Sequence, residues 1–348
     1  MRLKVGLLSA ARHSDSIPSA ILPTDFLMRS TNHRALSGLP SLVSIVMPSF
    51  NQAAFISESI RSVLDQDHPN IELIVADGGS TDGTQEILAR YQSLDSRLRW
   101  FSEPDEGPAD ALNKALRQAR GTLIGWLNSD DLYLPGAISR AAHELSSPNN
   151  LLMVYGHGQH IGEKGEFIER YSTQRPDVGA ERFRDGCFIC QPTAFFKRSL
   201  WLLLGPLDTS LKTAFDFDYW LRAFLAFPGR IGFIEAVQAS SRLHENCITM
   251  RMRRTVALDG ISVVSRHLGN PPGHWLLTYA EELLHMPSAE RPDADLLRHL
   301  ELTISQVSHC FSKQERERLS RTLRADPRLQ EQNKIDSATK STHQNSLK

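Results

Sequence analysis

Val43-Ser44-Ile45-Val46-Met47-Pro48-Ser49-Phe50-Asn51 is the stretch that decides the fold. Val43 to Met47 reads as a strand buried on both faces and stopped by Pro48, which has no N–H for a ladder. Ile56, Ile60, Val63 and Leu64 then fall at i, i+4, i+7 and i+8, one face of a helix. Ile71-Glu72-Leu73-Ile74-Val75-Ala76 predicts a second strand, and Asp77-Gly78-Gly79-Ser80 turns out of it. The alternation continues. Asp82 with Gln85 is a capping-box pattern for a helix that carries Ile87, Leu88 and Tyr91. Leu98 to Phe101 gives a third strand, Ala111, Leu112, Ala115, Leu116 and Ala119 another helical stripe, and Leu123 to Leu127 a fourth strand. Strands alternating with helices of about a dozen residues specify βαβ units, hence a parallel, Rossmann-like α/β sheet with helices on both faces.

Outside this core the pattern changes. Beyond about residue 250 the strands stop, and Trp275 to Met286 and Leu296 to Val307 have helical spacing, which predicts a helical extension over 251–325. Residues 1–41 are rich in Ser, Arg, Pro and His without periodicity and read as a poorly ordered leader. The basic start at Arg2 and Lys4 suggests a signal peptide, but the apolar stretch is short and Arg12 follows at once, so a leader is the better reading. Residues 326–348 are polar and read as a disordered tail.

Composition narrows the function classes. The chain has 348 residues with 39 Lys+Arg against 40 Asp+Glu, so no basic excess exists to neutralise nucleic-acid phosphates. No segment approaches the ~20 apolar residues that span a bilayer. The nearest, Cys187 to Leu207, is broken by Gln191, Lys197 and Arg198, and the stripe Trp201 to Leu204 within it reads as core. Four cysteines are too few for a disulfide scaffold, and no Asn-x-Ser/Thr acceptor occurs; both fit a cytoplasmic setting. Cys187 and Cys190 have the spacing of a zinc half-site, but without a second pair they read as buried thiols. Arg251, Arg253 and Arg254 form a short basic cluster, read first as a solvated face and second as a contact for an anionic acceptor or the inner face of a membrane.

In open α/β sheets ligands bind beyond the carboxyl ends of the strands. Three polar clusters sit there: Pro48 to Asn51, Asp77 to Asp82, and Asn128-Ser129-Asp130-Asp131. Adjacent carboxylates at Asp130 and Asp131 repel unless a cation lies beside them, and hard oxygen ligands suit Mg²⁺ or Mn²⁺ held together with substrate phosphates. The competing reading is a helix start, with Leu132 to Pro135 beginning the helix. Asp77 ends an apolar strand, where its carboxylate either accepts from a nucleobase or ribose or bonds its own loop. No Walker loop and no Gly-x-Gly-x-x-Gly is present.

Taken in order, these strings resemble the family 2 glycosyltransferases, inverting nucleotide-sugar enzymes of the glycosyltransferase-A fold. The resemblance continues through Glu103-Pro104-Asp105-Glu106-Gly107, Asp110-Ala111-Leu112-Asn113-Lys114, Gln191-Pro192-Thr193, Asp216-Phe217-Asp218 and Arg242-Leu243-His244, covering about 42–250 as the catalytic domain. It implies Asp216 as general base. It implies donor contacts from Pro48, Ser49, Phe50, Asn51, Asp77, Asp110, Asn113, Asp130 and Gln191. It implies a Mn²⁺ or Mg²⁺ site from Asp131, Asp130 and His244, with Asp131 favoured as the direct ligand. The family often writes its acidic motif Asp-x-Asp; here Asn128 holds the first position, and Phe215 stands where many members carry Glu. Those departures leave a non-catalytic nucleotide-sugar-binding protein as the alternative. The implied partners are a nucleotide sugar, most commonly linked to UDP, and a glycan or lipid-linked acceptor in cell-surface polysaccharide or glycolipid assembly, with peripheral membrane contact.

The chemistry agrees with these residue types. A carboxylate with an ordinary pKa near ~4 is a weak base for an acceptor hydroxyl, so burial beside Phe215, Phe217 and Trp220 should raise Asp216. Asp216 is also expected as a helix N-cap, with Asp218 in the first turn in a structural role.

Overall fold

The computed structural model describes residues 40–330 apart from 288, 289 and 294. The expected leader, up to residue 39, and the tail from 331 lie outside the described residues. The core opens with β1 (Val43–Ser49), α1 (Ile56–Leu64), β2 (Ile71–Asp77), α2 (Thr84–Leu94), β3 (Leu98–Ser102), α3 (Pro108–Gln118) and β4 (Leu123–Trp126). These strands pair in parallel in the order β3-β2-β1-β4. Alternate residues of β1 enter two different cores. Val43, Ile45 and Met47 pack with α1, whereas Val46 packs with α3. That two-sided burial is why the strand reads as a continuous apolar run.

The sheet then turns mixed. It adds β5 (Leu132–Tyr133), α4 (Ala137–Ser146), β6 (Met153–Ile161), β7 (Phe167–Arg170), β8 (Phe195–Lys197), α5 (Arg198–Leu204), α6 (Phe215–Ala226) and β9 (Ile231–Arg242). β8 runs antiparallel to β4 and β6, while β9 runs parallel to β6 and antiparallel to β5. The extension is α7 (Ile248–Arg251), α8 (Arg253–Leu268), α9 (His274–His285), α10 (Leu296–Gln306) and α11 (Lys313–Ala325). Ile261, Leu276, Leu283, Leu300 and Leu319 form its own core, but Val263 and Val264 of α8 join the core of the sheet's α3–α6 face.

Several local expectations shift. β1 continues through Pro48 to Ser49, because its ladder with β4 ends at Val46–Trp126 and the missing N–H falls beyond it. α2 is entered through Gly83 at φ +98°, not capped by Asp82; Asp82 instead accepts from the Thr84 and Ala53 amides. Leu132 and Tyr133 begin no helix: they pair with Ser240 and Ala239 of β9. Asp216 is the second residue of α6, whose N-cap is Ala214. Leu202 and Leu203, expected in the core, are each 65% exposed because α5 buries mainly Leu200. Residues 326–330 are ordered, with Leu329 buried and Arg328 paired to Glu281. Among the described residues no helix is long and apolar enough to cross a membrane.

Candidate active site

Because β3, β2, β1 and β4 are parallel neighbours, their carboxyl ends open along one edge in that order. At the ~4.8 Å strand spacing, the three steps extend about 14 Å. Hydrogen bonds tie the loops after β1 and β2 together. The Asn51 amide donates to Ser80 Oγ (2.7 Å), Thr81 N donates to Asn51 Oδ1 (2.9 Å), and Gln52 N donates to Thr84 Oγ1 (2.9 Å). Asn51 sits at φ +52°, a conformation Asn tolerates better than most side chains. The clamp leaves Phe50 turned outward, 59% exposed, and buries the Ser49 hydroxyl with no partner among the described residues.

Asp77 is buried and saturated from within. It accepts from the amides of Gly79 (3.2 Å) and Ser80 (3.0 Å) and from the hydroxyls of Ser80 (2.5 Å) and Ser102 (2.7 Å). Of the two readings of this residue, the bonding to its own loop is the one these contacts show. Gly78 has no room for a side chain. A Cβ there would lie 2.5 Å from an Asp105 carboxylate oxygen and 3.4 Å from the Phe50 ring. Burial, with Asp110 and Asp77 nearby, holds the Asp105 carboxyl above the ordinary range despite the Gly107 amide.

The acidic pair after β4 divides its labour. Asp131 is buried; Oδ1 accepts from the Arg242 amide (2.9 Å) and Oδ2 from Asn128 Nδ2 (3.1 Å). Burial and the neighbouring Asp130 push its carboxyl well above the usual range. Asp130 is the more open of the two and faces His244, whose Nε2 lies 3.1 Å from Oδ2. His244 is seated by Phe55, ring centroids 4.6 Å apart. Asn128 is the hub behind the pair. Its Oδ1 accepts from Trp126 Nε1, and its Nδ2 also donates to Gln191 Oε1, while Gln191 Nε2 donates to Trp126 O. A second aspartate at 128 would face the Asp131 carboxylate; the amide bonds it instead.

Asp216 lies in the first turn of α6. Trp126 stacks on Phe215 at 5.6 Å, which ties the start of α6 to the residue that bonds Asn128. Burial pushes the Asp216 carboxyl up to about 6, partly opposed by the Phe217 amide that donates to it. The buried Cys190 thiol is raised by burial first, then by Asp131, Cys187 and Asp216. Cys187 and Cys190 are free thiols. Asp218 serves the fold, accepting from Arg222 Nε (2.8 Å) and facing His267 (2.7 Å).

Two residues of the expected donor set are occupied elsewhere. Asn113 is buried, its amide donating to Leu207 O and its carbonyl accepting from Leu207 N, both at 2.9 Å. Asp110 pairs with Lys114 at 3.1 Å. Asn113→Ala should therefore lower stability by about 1–3 kcal/mol, the loss of a doubly bonded buried group, with little change in nucleotide affinity. A denaturant midpoint beside a nucleotide titration checks this.

Arg242 was not singled out by sequence reasoning, although it opens the Arg242-Leu243-His244 string. Its side chain is buried and its Nε donates to Asp130 O (2.9 Å), Nη1 to Glu163 O (2.7 Å) and Nη2 to Glu58 (2.7 Å). With its amide on Asp131, one residue fixes both acids.

Residues 44–202 match the family model described as glycosyl transferase family 2. The chondroitin synthase of Escherichia coli is 31% identical over 181 residues, 52% of this chain and 26% of that protein. The chain spans less than two thirds of the length of the curated relatives it matches first. The fold is shared with Staphylococcus aureus TarS solved with UDP-GlcNAc (TM-score 0.54, 18% identity, 86% of this chain and 92% of that one). It is shared also with a Pyrobaculum calidifontis mannosyltransferase solved with GDP-Man and Mn²⁺ (TM-score 0.52, 19% identity, 86% and 85%). Over residues 44–202 the chain is similar to glycosyltransferase family 2.

Proposed function

We propose that the protein transfers a sugar, with inversion, from a nucleoside-diphosphate sugar to an acceptor hydroxyl of a glycan. The observation that carries this reading is the pairing of Asp130 with His244 at the end of β4, joined through Trp126 and Phe215 to Asp216 with its raised carboxyl. The donor would lie along the strand-end row, its base by Phe50 and Asp105 and its diphosphate by Asp130. Asp77, saturated by its own loop, shapes the base end rather than offering a free acceptor.

A divalent cation fits this donor set. Among the described residues no three His, Cys, Asp or Glu side chains gather as a closed cage. One carboxylate and one imidazole are nevertheless what Mg²⁺ or Mn²⁺ needs when substrate phosphates complete its shell. Asp130 and His244 would hold it, with Asp131, bonded by the Arg242 amide and the Asn128 side chain, behind them. When bound, the cation neutralises charge on the departing diphosphate. Asp216 takes the proton from the acceptor hydroxyl, and one base facing away from the leaving group gives inversion without a covalent intermediate. Relatives and structural neighbours that make chondroitin or bind UDP-GlcNAc and GDP-Man support a nucleotide-sugar donor and a polysaccharide acceptor. Leu202 and Leu203, beside Lys197 and Arg198, are the surface that a peripheral membrane contact would use.

The test is a panel of UDP- and GDP-sugars with Mn²⁺ or Mg²⁺, read as nucleoside-diphosphate release. Metal-dependent release with at least one donor is expected. Tight nucleotide binding without release on any donor or acceptor would favour the non-catalytic binding protein instead.

A further inference from the structure

Arg251, Arg253 and Arg254, contiguous in charge along the sequence, part in the fold. Arg254 Nε donates to Thr303 Oγ1 (2.9 Å) and serves the extension's core. Arg253 instead faces Glu282 at 3.6 Å, and both line a cavity of about 210 Å³. Thr249, His274, Trp275 and Thr278 line the same cavity, with Tyr279 beside them.

Part of the cavity's wall connects with the segments that carry the candidate active site. Trp275 stacks on Phe217 at 5.8 Å, next to Asp216 in the sequence. Thr249 lies on α7, five residues beyond His244. Asp185, at the rim, precedes by two residues Cys187, whose thiol is raised by burial first and by Asp216 second. The walls are held in place before any ligand arrives. Trp275 Nε1 donates to Arg184 O (2.8 Å), and Gly260 of α8 lets the indole lie against the helix, since a Cβ there would sit 2.5 Å from the ring. Tyr279 OH lies 2.8 Å from His299 Nε2.

We propose that this cavity is an acceptor subsite that receives one pyranose ring of a glycan chain, beyond the residue whose hydroxyl reacts. The proposal rests on the glycosyltransferase reading above. There the acceptor gives its proton to Asp216, so the rest of its chain must leave on the Asp216 side, away from the row that takes the donor. The chemistry matches a sugar. Arg253 and Glu282 set donors and an acceptor side by side for neighbouring hydroxyls. Thr249 and Thr278 add two more hydroxyls, and the aromatic rings suit the C–H face of the ring. Preformed walls reduce the ordering cost of binding.

The experiment uses the purified full chain, a nucleotide sugar whose hydrolysis it catalyses, and chito-, cello- and malto-oligosaccharides of one to five units as acceptor probes. For at least one series the acceptor KM should fall about tenfold or more once the chain is long enough to reach the cavity. Thr278→Trp, a cavity-filling change at an exposed position of α9, should erase that gain while the donor KM stays as it was. Arg253→Gln should raise the oligosaccharide KM about fivefold or more without changing the monosaccharide KM. Oligosaccharides no better than monosaccharides in every series, or a length gain that survives Thr278→Trp, would overturn the subsite. Absence of both donor hydrolysis and nucleotide binding would instead overturn the glycosyltransferase reading itself, so the two failures are distinct.

Discussion

Asp216→Asn should lower kcat by about 10²–10⁴-fold while nucleotide-sugar affinity stays within a factor of about two, because a general base acts on the acceptor and not on donor binding. The wild-type pH profile carries the same signature. With the carboxyl pushed up to about 6, kcat/KM should rise through pH 6 and flatten above it, falling tenfold per unit on the acid side. Stability should run the other way. A carboxyl whose folded pKa lies above its ordinary value near ~4 contributes stability that is full below pH 4 and lost as pH rises through 6. Asp216→Asn removes that desolvated charge, so at pH 7.5 the variant should melt at or above the wild-type temperature. An inactive variant that is also destabilised would argue for a structural Asp216. A profile without an acid limb near 6 would argue against it as the base.

The parallel half of this molecule was legible from hydrophobic period alone. Val43, Ile45 and Met47 against Val46, and Leu73 and Val75 against Ile74, alternate between two cores, and a strand with helices on both sides leaves that mark. The mixed half was not legible. β5 is two residues long and exists because Leu132 and Tyr133 meet Ser240 and Ala239, more than a hundred positions away. No local signal distinguishes such a bridge from the helix start that Asp131-Leu132-Tyr133-Leu134-Pro135 imitates.

The candidate site divides along the same line. Strand-end placement put Asp77, Asp130, Asp131 and Asn51 on one edge, because parallel strands force their carboxyl ends together. What each carboxylate does there depends on its partners, and those come from distant segments. Asp77 is saturated by its own loop and Ser102, while Asn113 is held by the Leu207 backbone and Asp131 by Asn128 and Arg242. Arg242 ends the last strand, where a basic residue looks like an ordinary strand terminus. Its side-chain bonds to Asp130 O, Gly162 O, Glu163 O and Glu58 appear only once β9 lies beside β6.

That partition makes the adjacent acids the sharpest point of attack. Asp130→Asn should weaken Mn²⁺ binding in the presence of nucleoside diphosphate by about 10²-fold or more, and activity with it, since losing even an outer partner of a metal site typically costs 10–100-fold. The fold should hardly notice, because Asp130 is the more open of the two and among the described residues its side chain hydrogen-bonds only to His244. Asp131→Asn should do the reverse. An amide there places an NH₂ against either the Arg242 amide or the Asn128 amide, both donors, so one buried donor loses its acceptor at a cost of about 1–3 kcal/mol. Its metal response should fall only as far as the loosened turn displaces Asp130. Parallel thermal melts and Mn²⁺ titrations on the two variants decide the matter. If Asp131→Asn abolishes metal binding at unchanged stability while Asp130→Asn retains it, the ligand is the buried carboxylate. The Arg242 and Asn128 amides would then share its oxygens with the cation.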